Sequence, residues 1–395
     1  MQSIKHIFKI GYGPSSSHTM GPNKAALYML SLFPNANRFK VILYGSLALT
    51  GKGHLTDYIL KKTFSKKKCE VIWDKFTPCN YHPNTLDIYA YLDDIELGFK
   101  RFYSIGGGSI EIEGEKTVIE ENIYPFSSFS ETKKYLIANN LSLHDYVKKI
   151  EGDDIVDYLH ECYLTMKKAI KEGLSKEGTL PGSLKVKRKA KDIYEKIVDS
   201  DLQTTIFSYA YAVSEENASG GKVVTAPTCG SCGVLPAVLV ALEEKNGYQE
   251  KKILEAMMVA GYFGNLIKNN ASISGAEAGC QAEIGAACSM AAAAVSYLFN
   301  YEIDKIEQSA EIALEHHLGL TCDPIGGYVQ IPCIERNAIC ANRALDSAKL
   351  VNLFDSSTNK ISFDLVCQTM LETGKDLHVN YRETSRGGLA IKYRK

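Results

Sequence analysis

An α+β fold is predicted for this 395-residue chain, an N-terminal α/β region with a mixed sheet followed by an all-helical region. Three observations predict it. Short β-branched and aromatic runs bounded by turn residues occupy the first part of the chain. Helical periodicity with few strand signals fills the chain beyond about Asn139. The length also exceeds what a single hydrophobic core usually serves. The change of texture falls between residues 135 and 155, which gives domains of 1–145 and 146–395.

In chain order, a polar loop, Gly11–Pro22, runs into an apolar stretch, Ala25–Phe33, that reads as a helix with Pro22 in its first turn. Strands are predicted at Phe39–Tyr44, Ile88–Leu92 and Lys100–Ile105, the last meeting a GlyGlyGly turn at Gly106–Gly108 before Ile110–Ile112. The lysine runs at 61–62 and 66–68 read as solvated surface. Helices are predicted at Asp153–Gly173, Ile284–Phe299 and Ser309–Leu318, with a basic stretch at Lys185–Lys191. The second and third of these helices are rich in alanine, which suits close, buried packing.

Composition excludes several classes. With 45 basic and 46 acidic residues the net charge is −1, so no nucleic acid or polyanion partner is indicated. The cysteines number 11, an odd count without a paired framework, which argues against a disulfide scaffold and for thiols kept reduced. Met1–Lys9 reads as polar, unlike the core of a signal peptide. The longest uncharged stretches fail as membrane spans, Val223–Leu242 being broken by Pro227 and Pro236, and Ile284–Tyr301 being mostly alanine. A soluble, cytoplasmic protein is expected.

Four clusters carry chemistry. SerSerSerHisThr at 15–19 places hydroxyls and an imidazole beside a helix start, which can hold a small anion such as a carboxylate or can simply cap the helix. The segment Gly45–His54 is not a phosphate loop, because Lys52 is followed by Gly53 rather than Ser or Thr. It reads as a glycine-rich turn presenting His54, with HisProAsn at 82–84 nearby in sequence. Thr225–Gly233 contains a CysXXCys at Cys229 and Cys232, a possible redox pair or half of a metal site. No second CysXXCys exists to complete a zinc ribbon.

Cys280, Cys322 and Cys333 each lie beside glycine or proline at the start of a helical stretch, where the dipole favours thiolate. Cys333 opens a helix running through Ala338, Ala341 and Leu345. Soft thiolates suit an iron–sulfur cluster. Their wide separations match no compact ferredoxin run, and packing as small apolar residues is the other reading.

The assembled motifs resemble the bacterial iron–sulfur L-serine dehydratases, also called L-serine ammonia-lyases, over essentially the whole chain. They are GlyProSerSerSerHisThrMetGlyPro (13–22), GlyLysGlyHisLeuThrAsp (51–57), HisProAsn (82–84), GlyThrLeuProGly (178–182), AlaProThrCysGlySerCysGlyValLeuProAla (226–237), AsnAlaSerIleSerGlyAlaGluAlaGlyCysGlnAlaGluIleGly (270–285), GlyLeuThrCysAspProIleGlyGly (319–327), IleProCysIleGluArgAsn (331–337) and GluThrSerArgGlyGlyLeuAla (383–390).

The resemblance implies fused β- and α-chain regions and a [4Fe–4S] cluster in the helical domain on Cys280, Cys322 and Cys333, with Cys229 and Cys232 not ligands. One iron without a protein ligand would act as Lewis acid toward the hydroxyl and carboxylate of L-serine. It implies His18 and His54 as the proton-transfer pair, with the base not assigned between them. Ser15, Ser16, Ser17 and Thr19 would hold the substrate carboxylate and ammonium, at a site between the two domains, and the products would be pyruvate and ammonia. A homodimer is expected. Many members carry a cysteine near the C-terminus that reaches the open iron. Here Leu389–Lys395 has none and the last cysteine is Cys367, so the expectation is an iron open to water, no activation lag and a more oxygen-labile cluster. The competing readings are an iron–sulfur redox or iron sensor that kept the fold, action on L-threonine or L-cysteine, and pyridoxal-phosphate chemistry, for which no lysine stands in a Schiff-base setting.

Overall fold

Burial alternates along the predicted strand at Phe39–Tyr44, with Phe39, Val41 and Leu43 fully inward, and this segment lies inside a five-stranded sheet. The computed structural model describes residues 1–115, 121–199 and 201–393. Its strands are β1 (Ile10–Tyr12), β2 (Arg38–Tyr44), β3 (Lys68–Asp74), β4 (Thr85–Leu92), β5 (Ile95–Gly106), β6 (Ser109–Ile112) and β7 (Lys222–Val224). The sheet order is β3-β2-β4-β5-β6; β2 and β3 are parallel and the other neighbours antiparallel. This is the mixed sheet that the fold class required.

The helices of the first part are α1 (Gly21–Leu32), α2 (Gly45–Thr50) and α3 (Thr56–Thr63). α1 lays Ala25, Ala26 and Met29 into a core with Phe39, Val41, Leu86, Ile88 and Phe102 from the sheet, and Phe39 stacks on Phe64 at 4.2 Å. Pro22 sits in the first turn of α1, where its missing N–H has no cost.

The remaining chain is helical: α4 (Phe129–Ala138), α5 (Leu143–Glu151), α6 (Asp154–Ser175), α7 (Ala190–Tyr194), α8 (Leu202–Ala218), α9 (Val234–Asn246), α10 (Glu250–Asn270), α11 (Gly275–Ala278), α12 (Ala286–Leu298), α13 (Ile303–Glu315), α14 (Cys333–Leu350), α15 (Phe363–Asp376) and α16 (Gly388–Lys392). α12 is the axis of this part. Every residue from Ala286 to Ser296 is buried, and its alanines let α9, α10, α13 and α14 approach it closely. Among the described residues no helix is long and apolar enough to cross a membrane.

Two sequence expectations need correction. Met1–Lys9 is not a polar segment: Met1, Ile4, Ile7 and Phe8 are buried in the helical core, and β1 pairs antiparallel with β7. The lysine run at 66–68 does face solvent, Lys66 and Lys68 being exposed, and it leads into β3, an unpredicted edge strand whose Glu70 is also exposed while Cys69 and Val71 turn inward. Edge strands tolerate such charges. The first half of the glycine-rich turn at 45–54 is the short helix α2. Part of the cysteine-free tail, Arg394 and Lys395, lies outside the described residues.

Candidate active site

The hydroxyl loop becomes a helix through a wide turn. Ser15 Oγ accepts from the His18 backbone N–H at 3.2 Å, and the Met20 N–H reaches back to the Ser15 carbonyl at 3.1 Å, one residue farther than in an α-helix. The resulting π-helical turn, Ser16–Met20, runs unbroken into α1; such turns recur at functional sites. Gly21 is required at the join, because a Cβ there would lie 2.0 Å from Ser104 Oγ, which donates to the Ser17 carbonyl at 2.7 Å.

This turn buries His18 against His54, with ring centroids 4.5 Å apart and planes 28° from parallel. The two loops are laced together. Thr19 Oγ1 donates to the His54 carbonyl at 2.9 Å and Thr56 Oγ1 to the His18 carbonyl at 2.6 Å. Both His18 nitrogens meet hydroxyls: Nδ1 lies 2.8 Å from Ser17 Oγ, and Nε2 lies 3.1 Å from Ser46 Oγ and 2.9 Å from Thr50 Oγ1. Burial, then the neighbouring His54, holds His18 well below the usual imidazole range.

His54 is arranged differently. Its Nδ1 lies 3.1 Å from the Thr50 carbonyl, and since a carbonyl only accepts, Nδ1 carries the proton and Nε2 the lone pair. Nε2 is buried and has no hydrogen-bond partner among the described residues. Burial pushes the ring's pKa down to about 4, so it is neutral at ordinary pH. The HisProAsn segment supports this arrangement from below, the Pro83 carbonyl accepting from the Ser46 N–H at 2.8 Å at the start of α2.

The three cysteines come from separate elements. Cys280 follows Gly279, whose φ of 72° is left-handed, and precedes a second π-helical turn, Gln281–Gly285, that leads into α12. Cys322 is clasped by the segment before α16, its N–H donating to the Tyr381 carbonyl at 2.8 Å and its carbonyl accepting from the Glu383 N–H at 2.9 Å. Cys333 opens α14. The sulfurs of Cys280 and Cys322 hydrogen-bond. That contact lowers Cys280 against its burial, with the Arg336 guanidinium helping, and raises Cys322. Burial raises Cys333.

Three soft donors converging beside one guanidinium fit an iron–sulfur cluster, since the cation offsets thiolate charge. The backbone leaves space as well: a Cβ on Gly275 would come 2.9 Å from Glu283 Oε2 and 3.4 Å from Cys322 Sγ.

A cavity of about 1290 Å³ joins the two groups. Ser15, Ser16, Ser17, His18 and His54 line it from the first region, and Thr228, Cys229, Glu283, Cys322, Cys333 and Glu383 from the helical one. Thr19 and Cys280 stand behind the wall, Thr19 joining the loops and Cys280 backing Cys322. The CysXXCys is a pair of free, buried thiols. Burial pushes Cys229 up to about 12, and its Sγ accepts or donates no closer than the Ser16 hydroxyl at 3.5 Å.

Several residues were not singled out by sequence. Ser46 and Thr50 sit four apart in the segment read as a turn. Glu283, Arg336 and Glu383 sit inside the quoted cysteine and tail motifs. Glu283 Oε1 accepts from Thr228 Oγ1 at 2.8 Å and is raised by burial. Glu383 has a left-handed φ of 58°, and burial, then Glu283 and Cys280, raises it to about 8.

Residues 89–390 match the family described as serine dehydratase alpha chain, and residues 3–62 the family described as serine dehydratase beta chain. The chain is 41% identical over 451 residues to L-serine dehydratase TdcG of Escherichia coli (strain K12), with 99% of each covered. It is 39% identical over 458 residues to L-serine dehydratase 2 of the same organism, again with 99% of each covered. To the L-serine dehydratase of Streptomyces coelicolor it is 38% identical over 450 residues, with 98% of each covered. The chain therefore belongs to the serine dehydratase family, with the beta- and alpha-chain regions fused in one polypeptide.

Proposed function

We propose that this lyase is an L-serine ammonia-lyase working with a [4Fe–4S] cluster on Cys280, Cys322 and Cys333. The supporting observation is a single cavity walled on one side by the stacked His18 and His54 and on the other by Cys322 and Cys333. When bound, such a cluster supplies Lewis acidity toward the hydroxyl and carboxylate of serine, which matters because hydroxide is a poor leaving group.

The chain's own residues supply the proton chemistry and the orientation. His54 Nε2, neutral and unpaired, takes the α-proton, while the Thr50 carbonyl fixes its other nitrogen and shares the positive charge that develops. Its depressed pKa keeps it unprotonated, so the base is ready whenever substrate arrives. His18, hydrogen-bonded at both nitrogens, holds the base by stacking and orders Ser17, Ser46 and Thr50 around it. Ser15, Ser16 and Ser17 hold the carboxylate and ammonium, and Thr19 keeps the two loops in register. Elimination of water gives aminoacrylate, which tautomerises and hydrolyses to pyruvate and ammonia. Cysteines that are all free support a reducing compartment such as the cytoplasm as the place of work. Anaerobic purification, iron and sulfide counts and a pyruvate assay with L-serine test the reading. Protein that holds iron yet forms no pyruvate would point to a cluster-bearing sensor.

A further inference from the structure

A second group of metal-binding side chains lies in the helical core. Cys288 in the first turn of α12, His317 just after α13 and Cys340 in the second turn of α14 are all buried, and their ligand atoms lie within 4.8 Å of one another. None of the three lines the cavity described above.

The spacing suits a single ion. Tetrahedral zinc, with Zn–S about 2.3 Å and Zn–N about 2.0 Å, sets its ligand atoms roughly 3.5–3.8 Å apart. Small side-chain adjustments would therefore centre an ion in the trio. A four-iron cube holds its cysteine sulfurs at separate corners, farther apart than these atoms sit. Two thiols and one imidazole are also a donor set that zinc favours.

His317 is already oriented for such a role. Its Nδ1 lies 2.7 Å from the Ala313 carbonyl, which fixes the proton on Nδ1 and leaves the lone pair on Nε2. That outer contact to a backbone carbonyl is the one metal-bound imidazoles use to hold their tautomer. Gly285 gives the ring its place, since a Cβ there would lie 2.8 Å from His317 Cβ. Cys340 Sγ donates to the Ile284 carbonyl at 3.2 Å and Cys288 Sγ to the Cys340 carbonyl at 3.5 Å. These are weak donors. Binding would release both thiol protons and free the Ile284 carbonyl as an oxygen for a fourth position.

We propose that Cys288, His317 and Cys340 form a mononuclear site for a borderline-soft divalent ion of the zinc type, separate from the cluster ligands, which ties α12 and α14 to the end of α13.

The test uses the cluster-reconstituted full chain, dialysed anaerobically against zinc and then freed of loosely held metal. Wild type should retain about one zinc per chain, and His317→Asn and Cys340→Ala should each lose at least about tenfold of it with iron and sulfide unchanged. Cobalt(II) offered in place of zinc should give visible tetrahedral thiolate bands in wild type that vanish in Cys340→Ala, a small change chosen to preserve the fold. Equal zinc in wild type and both variants, or none in wild type, overturns the proposal. The difference between wild type and variants reports on this trio whether or not the cluster forms, so failure here and failure of the cluster assignment are separable.

Discussion

His18 and His54 stack at 4.5 Å, yet their hydrogen bonds divide the work: His18 has a hydroxyl at each nitrogen, whereas His54 keeps Nε2 unpaired among the described residues. On this difference we propose His54 as the base. Replacing His54 with Ala is expected to lower pyruvate formation by about 10²- to 10⁴-fold, the range for a general base. Iron content should stay at the wild-type level. Persisting activity would remove His54 from the mechanism.

Thr50 serves both rings at once, its hydroxyl on His18 Nε2 and its carbonyl on His54 Nδ1. Thr50→Val keeps the carbonyl and loses the hydroxyl, so kcat should fall roughly tenfold, about 1.4 kcal/mol, with KM little changed. Thr50→Ser restores the hydroxyl and should restore kcat. Full activity in Thr50→Val with a loss in Thr50→Ser would show that the methyl packing matters and the hydrogen bond does not.

The cysteines should separate cleanly. Cys322→Ser is expected to lose iron together with the brown absorbance and the activity, because a hydroxyl is a poor ligand for cluster iron. Cys229→Ser, at a buried thiol that contacts Ser16, should keep both iron and colour. Iron loss in Cys229→Ser would reassign the CysXXCys.

Burial of His54 also has a thermodynamic consequence. Its folded pKa of about 4 lies below the unfolded value near 6.5, so as pH falls through that window the unfolded chain takes a proton that the folded chain refuses. This group's contribution is intact above about pH 6.5 and is lost as pH falls toward 4. In His54→Gln the loss is absent, so its stability deficit relative to wild type should shrink by up to about 3 kcal/mol across that window. Raised carboxyls such as Glu383 act in the opposite direction but are common to both proteins and cancel in the difference. A deficit that does not change with pH in urea titrations would contradict the buried, neutral ring.

How much of this was legible in the sequence depends on how local each signal is. α1 and α12 announced themselves through Pro22 at a helix start and a wealth of alanine, and β2 through its apolar, β-branched and aromatic run, because each pattern is complete within the element. β3 was hidden by Lys68 and Glu70, whose charges an edge strand tolerates and a sequence reading assigns to solvent. The burial of Ile4, Ile7 and Phe8 was hidden because it depends on helices far along the chain. The same division holds for the site. His18, His54 and the three cysteines stood out as residue types within motifs, and their ligand and proton-transfer roles entered through family resemblance. Ser46 and Thr50 did not stand out, since a hydroxyl four residues from another means little until an imidazole from another loop reaches it. The trio of Cys288, His317 and Cys340 was equally silent, being assembled only by the crossing of three helical elements.

The central claim is that an iron–sulfur cluster on Cys280, Cys322 and Cys333 and the His54 base act on L-serine in one cavity. The most direct measurement is pyruvate released from L-serine under anaerobic conditions as a function of cluster content, from iron-free to fully reconstituted protein. The expected result is no release without iron and a linear rise toward about four iron and four sulfide per chain. Turnover by the iron-free protein, or a full complement of iron and sulfide with no pyruvate, would contradict it.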